Sequence, residues 1–319
     1  MSADENEPPR RDLRSWGAWK RYAFALVPTL AFLELAAHVA QATRHVADAD
    51  WILARDAVQA ELQPDDLVTF APGWVDPIGR SVFKDVATLE REARPDDTRF
   101  ARAIEVSIRD AHLAELAAWK VTGRKRVGAI TLTTYENPSF AKVLDDLVTH
   151  LAPGRAELTH VDARGETSCP FTRTRSQSGN IGYGPAIPGD RFLCPDGGFA
   201  GVSVVQALDY LPHRCIFAPP PGSGGALRLR FTEVAFGKTL HGHHAISWAQ
   251  ERYHDGAQVT LTFRSGEHLL GKLVHSDGDG WKSFELDTSE LEGTRGDLIA
   301  EVSSPNPRDR LYCFEADTR

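Results

Sequence analysis

The chain carries no surplus of basic residues. Lys and Arg total 36 against 44 Asp and Glu, a formal net charge of −8 over 319 residues. Nucleic-acid binders usually show the opposite balance, so that class is set aside. Cysteine is scarce and missing from the N-terminal half. The four that exist, Cys169, Cys194, Cys215 and Cys313, form no CxxC pair, which removes a zinc ribbon or a thioredoxin-like motif. GxGxxG, Walker A and GxSxG are all lacking. The backbone cradle for a nucleotide phosphate and the nucleophile elbow of an α/β-hydrolase are therefore not expected. What remains is an ordinary globular composition, 42% hydrophobic and 25% charged. The length allows about two domains of roughly 150 residues each after an N-terminal segment.

That segment is unlike the rest. Residues 1–21 hold Arg10, Arg11, Arg14, Lys20 and Arg21, with Trp16, Trp19 and Tyr22 close by. The stretch "FALVPTLAFLELAAHVAQA", residues 24–42, follows, and about 20 apolar residues suffice to cross a hydrocarbon core as a helix. Basic residues then thin out to Arg44 and Arg55. The pattern predicts a cytoplasmic basic segment over 1–21, an uncleaved anchor over 22–42 and an extracytoplasmic remainder. A cleaved signal peptide, suggested by the twin arginines and by "AQA", and a buried soluble helix are the alternatives. Glu34 and His38 share one face of this helix. They offer a contact to a partner helix, or His38 simply lies near the outer interface with Glu34 tolerated.

Residues 48–150 read as a small α/β domain. "ADADWILARDAVQAELQPDD" predicts an amphipathic helix capped by Asp48 or Asp50, with Ile52, Val58 and Leu62 on one face. "DLVTFAP", "RAIEVSIRD" and "RVGAITLTTYE" predict strands, and "AHLAELAAWK" and "SFAKVLDDLVTHL" helices. Strands alternating with helices imply a parallel or mixed sheet. Ligands of open α/β sheets sit at the carboxyl ends of strands. Trp74, Asp76 and Arg80, in the loop after the first strand, are accordingly the pocket candidates, against the plainer reading of a strand-exit loop.

Residues 151–319 read as a run of short alternating strands separated by turns, which predicts an antiparallel β-sandwich. "FRSGEH" and "SDGDGW" carry hairpin-turn chemistry. "HGHH" reads as a polar loop. His241 and His243 would point one way and His244 the other, but no third ligand is nearby, so no metal is expected. "DGDG", residues 277–280, reads as a turn rather than a calcium loop, since Trp281 and Lys282 fall where an EF-hand needs a ligand and a glycine. Four cysteines allow three pairings. The preferred one joins Cys169 to Cys194 around a Gly/Pro-rich segment and Cys215 to Cys313 between strands, in an oxidising compartment.

Two resemblances follow from these stretches. "ADWILARDAVQAELQPDDLVTFAP" followed by "VGAITLTTYENPSF" is similar to extracytoplasmic segments of dolichyl-phosphate-mannose-type glycosyltransferases, which implies location and α/β shape but no active residue. "VTLTFRSGEHLLGKLVHSDGDGWKSFELDTSEL" with the closing "YCFEADTR" resembles jelly-roll carbohydrate-binding modules. In such modules exposed aromatic rings stack on sugars, which would implicate Trp248, Tyr253 and Trp281, with Gln250 and Arg252 beside the first two. The plainer reading makes these rings core or turn-packing residues.

Taken together, the sequence predicts an α+β multidomain protein: a transmembrane helix, a small α/β domain and a jelly-roll-like sandwich. It would sit in the cell inner membrane with its bulk in the periplasm. Its expected role is non-catalytic recognition of a glycan or glycolipid, without a cofactor, assisting a membrane-protein partner such as a glycosyltransferase through Glu34 and His38. The alternatives are a glycan-processing enzyme with its site around Asp76 and Arg80, and a structural module that binds protein.

Overall fold

A computed structural model of the chain describes residues 14–42, 46–179 and 184–319, with side chains of 14–23, 41–42 and 89–90 left aside. The twin arginines and most of the basic segment lie outside the described residues. The apolar stretch belongs to a helix, Arg14–Ala42, with Pro28 inside it. Its described side chains, from Phe24 to Ala40, are all exposed, Glu34 and His38 among them. Among the described residues no helix is long and apolar enough to cross a membrane, so the anchor expected over 22–42 is not shown by the fold.

The first folded unit is a four-stranded mixed sheet. Asp66–Ala71 pairs in parallel with Arg102–Ile108, which pairs antiparallel with Ile130–Glu136, and that strand with Lys120–Val127. The helix Asp48–Glu61 packs against it through Trp51, Ala54 and Val58. Ile52 instead faces solvent. Neither Asp48 nor Asp50 caps the helix; Ala47 is the N-cap, and Asp50 accepts from the Ala129 amide.

Two expected helices do not form, for a common reason. Over residues 111–120 there is only a short turn, Ala114–Leu116. Buried Glu105 takes the Leu113 amide at 2.7 Å, contacts His112 at 2.7 Å and accepts from Tyr135 at 3.0 Å, and these bonds hold the segment open. Over 139–151 the chain gives a short strand, Asp145–Asp146, and one helical turn, Leu147–His150. The amides of Ala141 and Leu144 bond to Thr98 and Thr318 carbonyls rather than along a helix. Buried partners outcompete the intrinsic helix preference of such short segments, which is worth only tenths of a kcal/mol per residue.

From Asp145 onward the chain forms two antiparallel sheets, a β-sandwich. The larger contains Lys282–Asp287, Thr239–Ile246, Tyr312–Thr318, Pro212–Phe217, Phe199–Gln206, Asp190–Leu193 and Phe171–Arg173 in that order, with Asp145–Asp146 added beside Tyr312–Thr318. The smaller runs His268–His275, Val259–Ser265, Arg295–Ser303, Ala226–Ala235, Ala156–Asp162 and Gly165–Cys169. The core between them is built from alternating inward residues such as Leu229, Phe231, Leu261, Phe263, Leu298, Tyr312 and Phe314. "HGHH" is not a loop: it lies in Thr239–Ile246, paired on both sides. "FRSGEH" does close a hairpin, between Val259–Ser265 and His268–His275. "SDGDGW" does not, because the strands it joins belong to different sheets.

The disulfides are Cys169–Cys194 and Cys215–Cys313, the pairing the sequence favoured. Cys169 ends a strand of the smaller sheet, while Cys194 follows a strand of the larger, so the first bond ties the sheets together. The double substitution Cys169→Ser/Cys194→Ser is expected to lower unfolding stability by about 3 kcal/mol through the entropy of the opened loop. Denaturant titration reads this, and an unchanged midpoint would show that other contacts already hold that edge.

Candidate functional site

The two units meet along one segment. Strand Pro212–Phe217 pairs with Tyr312–Thr318 only at Ile216 and Phe217. This leaves the Arg214 amide to donate to Ala93 O at 2.6 Å. Next along, Trp281 Nε1 donates to Pro95 O at 3.0 Å. Arg319 Nη1 donates to Thr98 Oγ1 at 2.7 Å, and Arg99 to Asp146 at 2.7 Å. Residues 93–99 are thereby pinned to the larger sheet.

A cleft of about 560 Å³ opens beside this segment, lined by Asp76, Arg80, Glu92, Arg94, Asp96, Asp97, Leu211 and His213. Its floor is the carboxyl end of Asp66–Ala71, where the helix Asp76–Val82 begins. Gly79 lets that helix approach closely, since a Cβ there would meet the Phe70 ring at 2.3 Å. Asp76 and Arg80 line the cleft as a 2.6 Å ion pair. Trp74, 61% exposed, is not among the lining residues.

Glu92 is the site residue that sequence reasoning missed. Burial, the neighbouring Asp76 carboxylate and Asp97 push its carboxyl up to about 7, against the opposing pull of Arg94 and Arg80. Asp76 is also raised, chiefly by burial. Glu92 sits in an unremarkable sequence context, and only tertiary proximity pairs it with Asp76, which the strand-exit position had already singled out. A smaller cavity of about 360 Å³ on the other side of Arg94 is lined by Arg91, Arg99, Lys142 and Arg214, with Glu315 in its wall. Burial and nearby carboxylates raise the Glu315 carboxyl well above its ordinary range.

The aromatic candidates divide. Trp248 opens the short helix Trp248–Glu251. The Arg252 guanidinium lies 4.5 Å from the centre of its ring and 4.9 Å from that of Tyr253, and donates to the Tyr253 hydroxyl at 2.8 Å. Tyr210, which the sequence did not suggest, joins them with its ring 5.7 Å from that of Trp248. Tyr210 and Tyr253 are 63% and 62% exposed. Gln250 is half-buried in the same helix. Leu211 and His213 carry the chain from this aromatic platform into the cleft wall.

The platform is held from beneath by Glu251, which is fully buried and accepts from the Gly278 amide at 3.1 Å and the Gly280 amide at 2.8 Å while meeting His275 at 3.1 Å. The "SDGDG" crossover thus serves as an anchor for the helix. Its aspartates are engaged without an ion: Asp277 pairs with Arg310 and Asp279 with Lys282.

Trp281 is apart from the platform. Its ring is parallel to His213 at 4.0 Å and to His243 at 5.3 Å, and it packs on the Cys215–Cys313 cluster. With its N–H also engaged by Pro95, it packs at the seam, as the plainer reading of this ring expected. On the same sheet face, Asp96, His241 and His243 each place one ligand-type atom within 4.8 Å of the others. His244 points the opposite way, to the Tyr312 hydroxyl at 3.0 Å, and burial lowers its imidazole to about 3.

No protein-family model matches the chain, and no curated protein matches it. Among solved structures, CBM51-2 in complex with GlcNAc and INT domains of Clostridium perfringens ZmpB aligns at 8% identity, covering 60% of this chain and 44% of that one, with a TM-score of 0.29. The K2 cleaved adhesin domain of Lys-gingipain aligns at 11% identity over 52% of this chain and 89% of that one, TM-score 0.26. A family 29 carbohydrate-binding module aligns at 13% identity over 51% and 86%, TM-score 0.20. The chain thus spans under half the length of the first of these. At such scores the likenesses carry no argument, and the sandwich assignment stands on the strands above. Nothing among them supports the likeness of residues 48–150 to glycosyltransferase segments.

Glu92 generates a pH dependence with a definite sign. Its folded value, about 7, lies above its ordinary value of 4.5. The folded state therefore holds the proton more tightly, and its stabilising effect is full below about pH 4.5 and lost as pH rises through 7. Glu92→Gln should flatten the wild-type decline between those limits, by about 3 kcal/mol at most. Unfolding curves at several pH values would show this, and parallel wild-type and variant profiles would refute it.

Proposed function

We propose that the protein recognises a glycan or the sugar portion of a glycolipid, bound across the aromatic platform and into the adjoining cleft. The observation that carries this reading is the grouping of exposed Tyr210 and Tyr253 with half-buried Trp248, Arg252 lying against Trp248 and Tyr253. One face of a pyranose is largely C–H and stacks on such rings, while hydroxyl and guanidinium groups at their edges bond the sugar hydroxyls. The cleft beside it supplies convergent polar groups, as small-molecule sites do.

The N-terminal helix supports attachment to a membrane. Phe24, Leu26, Val27, Leu30, Phe32, Leu33, Leu35 and Val39 are all exposed. At 100° per residue these positions surround the helix rather than forming one stripe, a pattern that calls for apolar surroundings. Two disulfides suit an oxidising compartment, which supports a periplasmic position for the bulk, at the inner membrane, as part of this proposal. A membrane-protein partner contacting Glu34 and His38, a glycosyltransferase among them, belongs to the same proposal.

A second reading draws on a different observation, the paired carboxyls Asp76 and Glu92. An acid that keeps its proton near neutrality beside a second carboxyl is the equipment of a glycoside-processing enzyme. Glu92 would donate the proton to the leaving oxygen.

A glycan array probed with the full chain tests both. Trp248→Ala should weaken binding about tenfold or more, corresponding to about 1.4 kcal/mol, while Trp74→Ala, outside the platform, leaves it unchanged. No binding, or equal binding by Trp248→Ala, would overturn the recognition reading. Release of new reducing ends by the wild type, abolished in Glu92→Gln, would establish the second.

A further inference from the structure

We propose that Asp96, His241 and His243 form a site for a divalent transition metal, zinc foremost, reached from the cleft. Two imidazoles and a carboxylate are the nitrogen and oxygen donors that such ions prefer. Asp96 Oδ2 lies 3.6 Å from His241 Nδ1, beyond hydrogen-bond range. That spacing matches two ligands of one ion, since atoms about 2.1 Å from a tetrahedral zinc lie about 3.4 Å apart. His241 Nδ1 is buried and has no hydrogen-bond partner among the described residues, which is unusual for a buried polar atom.

The other two ligands are oriented from behind. His243 Nδ1 is bonded to buried Glu315 at 2.7 Å, leaving Nε2 as the coordinating nitrogen. An oxygen partner on the far nitrogen, here that of the Glu315 carboxyl, is how metal-bound imidazoles are commonly fixed. Trp281, parallel to His243, sets the plane of its ring. Asp96 Oδ1 accepts from the Thr98 amide at 2.8 Å and its hydroxyl at 2.7 Å, which turns Oδ2 toward the histidines. Asp96 also lines the cleft. Three protein ligands with a remaining position open toward solvent is the pattern of zinc sites that bind water or substrate, rather than of closed structural ones.

One group opposes the ion. Arg319 Nη2 lies 3.4 Å from Asp96 Oδ2. Its firmer bonds go to Asp317, at 2.5 and 3.0 Å, and to Thr98 at 2.7 Å. The guanidinium can therefore stay in place while the metal takes Oδ2, and its charge limits the affinity.

The site is independent of the glycan proposal, and its test involves neither sugar nor turnover. The chelator-stripped full chain is titrated with zinc chloride by calorimetry, and with cobalt(II) by visible absorption. One tight zinc per chain is expected, with a cobalt spectrum of low coordination number. Asp96→Asn and His241→Gln, both close in volume to the native residues, should each weaken zinc about 100-fold or more. His268→Gln, exposed at the hairpin of the smaller sheet, should leave affinity unchanged, and Arg319→Gln should tighten it. Absence of stoichiometric binding by the wild type overturns the proposal without reference to any variant. Binding unaffected by Asp96→Asn and His241→Gln, with circular dichroism unchanged, overturns it equally by placing the metal on other histidines.

Discussion

The cleft and the cluster of Asp96, His241 and His243 depend on the pinning of residues 93–99 to the larger sheet. The bonds from Arg214 to Ala93 and from Trp281 to Pro95 fix the backbone of this segment, and Arg99 and Arg319 tie its far end through Asp146 and Thr98. The segment in turn distributes side chains to both sides. Arg94 reaches the cleft and the smaller cavity, while Asp96 turns toward His241 and His243. These hydrogen bonds are possible because Pro212–Phe217 pairs with Tyr312–Thr318 only from Ile216 onward, leaving Arg214 outside that ladder. A fully paired strand would have no free amide at Arg214, and the four-stranded unit would lose its attachment to the sandwich at that point.

The seam also explains why charge is buried there. An ion removed from water is costly unless it is paired and hydrogen-bonded. Arg99 with Asp146, Arg319 with Asp317 and Arg310 with Asp277 meet that condition. Glu92 does not: its Oε1 is buried with no hydrogen-bond partner among the described residues, and the nearest guanidinium is 4.0 Å from the other oxygen. Keeping the proton is the cheaper state for such a group. Two kinds of carboxyl therefore stand within one cleft. Asp96 is held ionised, burial being outweighed by the Thr98 hydrogen bond and by Arg319, whereas Glu92 remains an acid.

The parts of the fold that were legible in sequence are those where one local pattern agrees with burial. Val259–Ser265 and Arg295–Ser303 alternate inward apolar and outward polar residues, and Gly266 takes the left-handed conformation that a tight turn requires. Asp66–Ala71 was readable as a short apolar run and Arg102–Ile108 as an alternating one, although both are buried almost throughout. The failures have tertiary causes. Residues 111–120 have helical composition, but Glu105 lies on a strand that no local window includes. "HGHH" looks like a loop because its histidines are polar, yet His243 and His244 are satisfied by Glu315 and Tyr312 from the neighbouring strand. The third ligand-type atom beside His241 and His243 comes from Asp96, distant in sequence. Trp248 and Tyr253 could be singled out from their surroundings, but Tyr210 could not. Nor could the enclosure of Trp281 between units that the sequence treats separately.

The loop from Ala207 to His213 connects what would otherwise be two unrelated surfaces. Tyr210 takes a left-handed φ of 61°, an uncommon choice for a bulky residue, and its carbonyl is held by Gln206 at 3.0 Å. Asp209 bonds both the Leu211 amide at 2.9 Å and His213 at 2.8 Å, so the loop is braced from within. Its two ends are aromatic contacts. Tyr210 meets Trp248 on the platform, and His213 lies flat on Trp281, which lies parallel to His243. Packed rings have little room to move without opening a void. A ligand that shifted Tyr210 would therefore press on the stack that orients His243, while a ligand fitting the platform as it stands would leave the seam undisturbed. The bracing favours the second course, a surface formed in advance beside a cleft whose ionisable groups are already set.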